Sequence, residues 1–324
     1  MMTPPDPGLT LLHFGDLHLW RIGLDADPRF KRLLGLANLL LRRGRLFPLS
    51  VARLVLRRIE HDPADYLCFS GDLTTTSLKA EFEDARRLLL PLLDKWQARF
   101  LAIPGNHDRY TVRAAGRRYY ETLFAGEHAR FPFEVDLDAV WTLIGIDCSV
   151  PRRFTSRGRF TREARDALAP RLAEHRRRGR RLIVMGHYPL LYPARVPVQL
   201  DHALPERMAL FELLAEHRVD AYLHGHKHQR WRLKHEGVTL LNCGSAGMDH
   251  PRHRPGYLRI QLTHDGIGAV QSVSLRHRAD IVREARREAR AHEAAHDHAP
   301  PDTGELPAGE WVTRLLEEDG GAVH

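Results

Sequence analysis

Aspartate, asparagine and histidine gather at five places along the chain, each closing a short apolar run that ends in glycine. Asp16 and His18 stand in "GDLH", Asp72 in "SGD", and Asn106, His107 and Asp108 in "PGNHD". His187 follows in "MGHYPL", and His224, His226 and His228 alternate in "AYLHGHKHQRW". Taken singly, each is ordinary: an aspartate at a strand end commonly caps a helix, and a histidine commonly satisfies a turn. Taken together, they offer carboxylate, amide oxygen and imidazole, a donor mixture that suits Mn²⁺, Fe or Zn²⁺ better than Ca²⁺. The scarcity of thiols argues against a structural zinc. The set is too large for one open catalytic ion and fits two ions sharing a carboxylate. Such a pair can clamp a phosphoryl centre and generate a hydroxide nucleophile.

The elements that must position these groups are legible as patterns. "LTLLHFGD", "DYLCFSGD", "RFLAIPGN", "WTLIGIDCS", "RLIVMGH", "DAYLHGH" and "VTLLNCGS" are short apolar runs bounded by turn residues, which predict buried strands. Between them, "EFEDARRLLLPLLDKW", "TREARDALAPRLAEHRRRG" and "PERMALFELLAEH" carry helical spacing. "GYLRIQLTHDG" and "GIGAVQSVSLR" alternate as an antiparallel hairpin would. Alternation of strands and helices predicts an α/β layered fold with mixed sheets, and open α/β sheets bind ligands beyond the carboxyl ends of their strands. If "AYLHGHKHQRW" stays extended, His224, His226 and His228 share one face.

Composition bounds the setting. The 324 residues suit one large domain with additions, 43% hydrophobic residues are ordinary for a water-soluble chain, and no apolar run of spanning length occurs. The opening "MMTPPDPG" lacks the charged and apolar regions of a secretory signal, so none is expected there. Cys68, Cys148 and Cys243 are widely spaced and read as buried free thiols in a reducing cytosol. The net charge of +8 favours acidic partners. From Arg29 to Arg58 there are Arg and Lys residues but no acid, on a stripe of Phe30, Leu33, Leu34, Ala37, Leu40 and Leu41. The 29–60 segment thus reads either as a basic amphipathic insert for an anionic membrane surface or as an outer-layer helix with solvated arginines. After residue 278 the composition shifts to Ala, Arg and Glu, then to a Pro/Gly-rich stretch. This predicts a 1–278 catalytic domain and a 279–324 tail of helix and flexible linker, with "WVTRLLEEDGGAVH" as a short docking helix.

The ordered set "GDLH", "GD", "GNHD", "GH" and "GHKH" resembles the calcineurin-like metallophosphoesterase superfamily, over roughly Leu9 to Ala246. The resemblance implies a four-layer αββα sandwich of two mixed β-sheets and a cofactor of two divalent metal ions, Mn²⁺ expected, Fe or Zn²⁺ as alternatives. By it, Asp16, His18 and His228 hold one metal, Asn106, His187 and His226 the other, and Asp72 bridges them. His107 takes the catalytic-histidine position, and Asp108 is expected to orient its ring. His224 receives no ligand role, only packing or a hydrogen bond behind a ligand.

"SGDLTTTSLKAEF", "PGNHDRYT", "SRGRF" and "YLHGHKHQ" together are similar to the branch holding UDP-2,3-diacylglucosamine pyrophosphatases of lipid A biosynthesis. That resemblance implies hydrolysis of a nucleotide-lipid pyrophosphate by a cytoplasmic enzyme peripheral to the inner face of the membrane. Arg21, Arg109, Tyr110, Arg157 and Arg159 are then candidates to contact substrate. A cyclic-nucleotide or other small-phosphodiester phosphodiesterase is the rival, and a non-catalytic scaffold is the reading from a different class. No aromatic-and-basic stretch marks nucleic acid as a partner.

Overall fold

Strand alternation sorts the apolar runs between separate interiors. In β1 (Leu9–Phe14), Leu11 enters one core while its neighbour Leu12 enters another. The same division separates Leu67 from Cys68 in β2 (Tyr66–Phe69), and Leu182 from Ile183 in β6 (Arg181–Met185). Successive side chains on a strand point to opposite faces, so strands buried on both faces need apolar residues throughout. The computed structural model describes residues 8–20, 46–125, 128–152, 155–250, 253–275 and 311–319.

Two six-stranded mixed sheets result. The first runs β12-β11-β10-β1-β2-β3, and the second runs β4-β5-β6-β7-β9-β8. In the first, β3 (Phe100–Ala102) lies parallel to β2, and β2 parallel to β1. β10 (Gly256–Thr263) and β11 (Gly266–Leu275) form the expected antiparallel hairpin. In the second, β5 (Trp141–Gly145), β6, β7 (Ala221–His224) and β9 (Val238–Cys243) run parallel. Antiparallel β4 (Phe133–Asp136) and β8 (Arg230–His235) flank them.

Three cores fill the gaps between four layers. Leu11, Cys68 and Leu101 of the first sheet meet Leu143, Ile183, Leu223 and Leu241 of the second. Outside the first sheet, α1 (Leu49–His61) and α2 (Lys79–Trp96) bury Val55, Ile59, Phe82, Leu89 and Trp96. Outside the second, α4 (Arg162–Arg177) and α5 (Arg207–Glu216) bury Leu168, Leu172, Leu210 and Leu214, while the short α3 (Val112–Gly116) follows the "PGNHD" turn. This is the αββα sandwich that the motifs imply. The three cysteines are free and buried.

Two expectations change. "WVTRL" is not a docking helix: Trp311–Leu315 forms β12, the edge of the first sheet, paired antiparallel with β11. Trp311, Val312 and Thr313 are aromatic or β-branched, and an available sheet edge outweighed the weak helical spacing of the two leucines. Of the basic 29–60 segment, residues 29–45 lie outside the described residues. Its described end is α1, whose Val51, Ala52, Val55, Leu56 and Ile59 point into the core while Arg53, Arg57 and Arg58 face solvent. That is the outer-layer reading for this part. The rest of the 279–310 stretch also lies outside the described residues. No helix among the described residues is long and apolar enough to cross a membrane.

Candidate metal centre

The carboxyl ends of β1, β2, β3, β6 and β7 open at one place, and the five motifs are the loops that leave them. Two of these loops zip together through backbone bonds: Asp16 N–H donates to Gly71 O, His18 N–H to Asp72 O, and Leu19 N–H to Leu73 O, at 2.9 to 3.0 Å. This ladder holds the backbone in an unfavourable form. Asp16, His18 and Asp72 have φ of 54°, 49° and 58°, and His226 and His228 have 74° and 55°. For a side chain with a Cβ this region costs about 1–3 kcal/mol per residue, and such strain concentrates where side chains must be aimed. It also corrects the idea of three histidines on one strand face. β7 ends at His224, and left-handed turns, not strand alternation, present His226 and His228.

Glycine matters at two of the turns because the ligating carboxylates press against the chain. A Cβ on Gly105 would lie 2.2 Å from Asp72 Oδ1, and one on Gly225 would lie 2.4 Å from Asp16 Oδ2. Neither contact is sterically possible, so "PGN" and "HGH" need their glycines.

The side chains converge in two clusters. In one, His18 Nε2 lies 3.0 Å from His228 Nε2 and 3.7 Å from Asp16 Oδ1, and His228 Nε2 lies 3.3 Å from the same Asp16 oxygen. In the other, Asn106 Oδ1 lies 3.1 Å from His187 Nε2 and 2.9 Å from His226 Nδ1. Asp72 stands between, its Oδ2 at 3.6 Å from His18 and 3.4 Å from His187. Its Oδ1 is already occupied, accepting from the His107 backbone N–H at 2.7 Å.

Tautomers test whether this set fits a cation. His187 Nδ1–H donates to Ser70 O at 2.8 Å, and His226 Nε2–H donates to His202 O at 2.5 Å. When both rings are neutral, as binding a cation requires, the other nitrogen of each carries a lone pair. In that state the two lone pairs and the Asn106 oxygen sit within 3.2 Å of one another. Three convergent acceptors fit a cation, and carbonyls behind imidazoles are the usual support for metal-ligating histidines. The charges agree. Burial opposes ionisation of Asp16 and Asp72, yet the surrounding imidazoles, His228 for Asp16 and His187 for Asp72, hold both below the usual carboxylate range. Burial likewise opposes a charge on His187, but Asp72 raises it to about 9. That proton sits on Nε2, the nitrogen facing Asn106, and a cation binding there replaces it.

His107 reaches the same space from the side. It groups with His18 and Asp72 as a third set of convergent ligand atoms, and its ring stacks on Tyr110 with centroids 5.5 Å apart. Its Nδ1–H donates to Thr75 O at 2.7 Å. This replaces the expected role of Asp108. The Nδ1 proton is taken by a backbone carbonyl, while the Asp108 carboxylate accepts from the N–H groups of Leu73, Thr74 and Gly105 at 2.9 to 3.1 Å. Asp108 pins the Asp72 loop to the Asn106 loop. Burial, then Asp72, pushes its own pKa up to about 6.

The substrate candidates divide. Tyr110 lies beside the cluster. Arg109 is corrected to a structural tie, because its buried guanidinium pairs with Glu121 at 2.6 Å and Asp147 at 2.8 Å. Arg157 and Arg159 are exposed, and Ser156 of their loop lines the cavity instead. Arg21 lies outside the described residues. The cavity over the cluster encloses about 330 Å³, and Ser156, Gln199, His202 and Lys227 form its far wall. These were not anticipated. Lys227 was visible between the two ligands of "HGHKH", and its ammonium donates to Gln199 Oε1 at 3.0 Å. Gln199 and His202 sit in a loop with no sequence signal.

His224 is fully buried among Tyr222 and Trp231. Its Nδ1 lies 3.1 Å from Asn242 Nδ2, which also donates to Gly225 O at 2.7 Å. It thus supports the turn that carries His226 and takes no place in the cluster.

The pattern of the family described as calcineurin-like phosphoesterase matches residues 9–230. A "Probable cyclic nucleotide phosphodiesterase" of Vesicomyosocius okutanii subsp. Calyptogena okutanii (strain HA) is 28% identical over 195 residues, covering 60% of this chain and 75% of the relative. One of the same description from Ruthia magnifica subsp. Calyptogena magnifica is 25% identical over 214 residues, 65% of this chain and 83% of the relative. Among solved structures, a dimetal phosphatase from Danio rerio superposes with a TM-score of 0.55 at 13% identity, covering 81% of this chain and 97% of the other. The purple acid phosphatase PPD1 of yellow lupin (Lupinus luteus) seeds gives 0.53 at 15% identity, covering 81% and 50%. At these identities the structural likeness speaks for the fold.

Proposed function

The chain belongs to the calcineurin-like phosphoesterase family, a metal-dependent phosphoester hydrolase, and from that premise we propose a phosphodiesterase acting on a small nucleotide-type diester. The observation that carries this reading is the convergence of Asp16, His18 and His228 on one side of Asp72, with Asn106, His187 and His226 on the other. In this reading these seven residues hold two divalent ions. Their O/N donor set suits Mn²⁺, with Fe or Zn²⁺ as alternatives. When bound, the pair supplies a nucleophilic hydroxide and Lewis acidity at the phosphoryl oxygens.

The protein's own groups do the rest. His107 is the proton donor to the leaving oxygen, or the donor that steadies charge on the phosphoryl group. Its Nδ1 is tied to Thr75 O, which fixes the ring, and the residue lines the cavity. Lys227 adds a cation at the wall, and Tyr110 backs the His107 ring. The small, polar cavity and the relatives named as cyclic nucleotide phosphodiesterases favour a compact diester.

A second reading has one observation in its favour. A recess of about 490 Å³, lined by Leu17, Leu19, Trp20, Phe47 and Ala52 together with the charged Arg53, Glu81, Asp84 and Arg87, lies near the site. Phe47 packs on His18 with centroids 4.5 Å apart. Such a recess suits an acyl chain, as hydrolysis of UDP-2,3-diacylglucosamine would require. Release of AMP from cyclic AMP, beside release of UMP from UDP-2,3-diacylglucosamine, decides between them. Turnover of the lipid nucleotide alone overturns the first reading. The scaffold reading survives only if wild type and Asp72→Ala are equally inactive on bis(p-nitrophenyl) phosphate with every divalent ion tried.

A further inference from the structure

A second cavity, of about 350 Å³, abuts the first and shares with it the wall His228–Gln229. Arg195, Arg230, Arg254 and Arg314 line it with Ser272 and Ser274, and no aspartate or glutamate does. Arg195 is neutralised from outside by Asp319, whose two oxygens lie 2.9 and 3.0 Å from one guanidinium nitrogen. The other three arginines make no ion pair among the described residues.

Arg230 is the informative one. Its Nη1 donates to Arg254 O at 2.7 Å and to Ser274 Oγ at 3.1 Å. Its Nε and Nη2 are buried against Gly244 and Gly256 and make no hydrogen bond among the described residues. A buried donor left unpaired costs about 1–3 kcal/mol, and more when it is charged, so the fold holds this guanidinium in the cavity wall at a cost. Burial lowers the pKa of this guanidinium to about 10, which still leaves it charged at neutral pH. Arg254 and Arg314 stand at the mouth, and the planar guanidinium fork matches phosphate oxygens.

We propose that this cavity is a phosphate-binding site, separate from the metal cluster, closed on one side by the C-terminal strand β12. Its occupant is a phosphate monoester or orthophosphate. The cavities are neighbours across His228 and Gln229, and a substrate with a second phosphate would place it here. That part rests on the phosphodiesterase reading, whereas phosphate binding itself does not.

Orthophosphate titrated calorimetrically into Asp72→Ala, where the metal cluster is dismantled, tests the site directly. Binding should persist, and adding Arg254→Glu and Arg314→Glu, both at exposed positions, should weaken it at least tenfold with the melting curve retained. No binding to Asp72→Ala, or binding indifferent to the arginine changes, overturns the proposal. The source is then read with holoenzyme and the p-nitrophenyl ester of thymidine monophosphate, with and without a phosphate on its free sugar hydroxyl. A KM at least tenfold lower for the phosphorylated ester, lost in the arginine variant, assigns the site to substrate. Equal KM values assign it to free phosphate. If neither ester is hydrolysed, the phosphodiesterase reading falls and the calorimetric result stands.

Discussion

On one side of His228 and Gln229 acceptors converge around Asp72, with Lys227 at the wall, and on the other side the charged groups are all donors. The metal-centre cavity gathers two buried carboxylates, an amide oxygen and imidazole lone pairs at 2.9 to 3.7 Å. The neighbouring cavity gathers guanidinium groups with serine hydroxyls and no carboxylate. Neither set is satisfied by its own kind. Each is held by backbone: left-handed turns aim the first, and β8, β11 and β12 frame the second. Unpaired acceptors call for cations and unpaired donors for anions, so adjacent sites of opposite demand suit a charged substrate with its metals.

The largest effect expected from breaking this pairing is at Asp72. Asp72→Ala removes the one carboxylate facing both clusters. Turnover of bis(p-nitrophenyl) phosphate should fall by at least about 10³-fold, beyond what one electrostatic contact supplies. Bound metal, measured by atomic emission, should fall with it. The alternating histidines come next: His226→Ala and His228→Ala should each approach that loss. His224→Ala, acting through Asn242 and Gly225, should cost only about 10–100-fold. Equal losses at all three would refute the division between ligands and support.

A pH series sharpens the acceptor side. In the metal-free protein Asp72 holds a proton on His187 up to about pH 9. A metal must displace it, so apparent affinity should rise with pH, by about tenfold per unit for one proton, and level off near 9. A flat profile by competition with a chelating dye would contradict the assignment of His187. The smallest effect lies beneath the site. Burial lowers His13 to about 3, and neither ring nitrogen has a hydrogen-bond partner. Its folded pKa is below its unfolded value, so only the unfolded chain gains the proton between about pH 6.5 and 3. Stability is complete above that window and is lost as pH falls through it, by up to about 1.4 kcal/mol per unit. His13→Gln should flatten this limb in urea melts.

Much of the candidate site was legible because each motif is local. Apolar residues at strand period, a glycine, then an Asp, Asn or His state both where a strand ends and what it presents. The layer order followed for the same reason, since runs apolar on both faces must be covered twice. Arg109 misled, because a basic residue beside a catalytic motif looks the same whether it meets substrate or, as here, Glu121 and Asp147. "WVTRLLEEDGGAVH" misled because its few apolar positions, gathered at one end, do not separate helix from edge strand.

The sequence by itself determined the ligand types, their order, the glycines between them and the αββα layers, all consequences of local pattern and chain connectivity. Only the tertiary structure decided which acceptor fixes each imidazole: Thr75 for His107, Ser70 for His187 and His202 for His226. It alone brought Arg230, Arg254 and Arg314 around one cavity. Those partners are distant in the chain, and a backbone carbonyl or a far arginine leaves no mark on the spacing of its neighbours. They meet because two sheets close over a shared core, which is a property of the packed molecule.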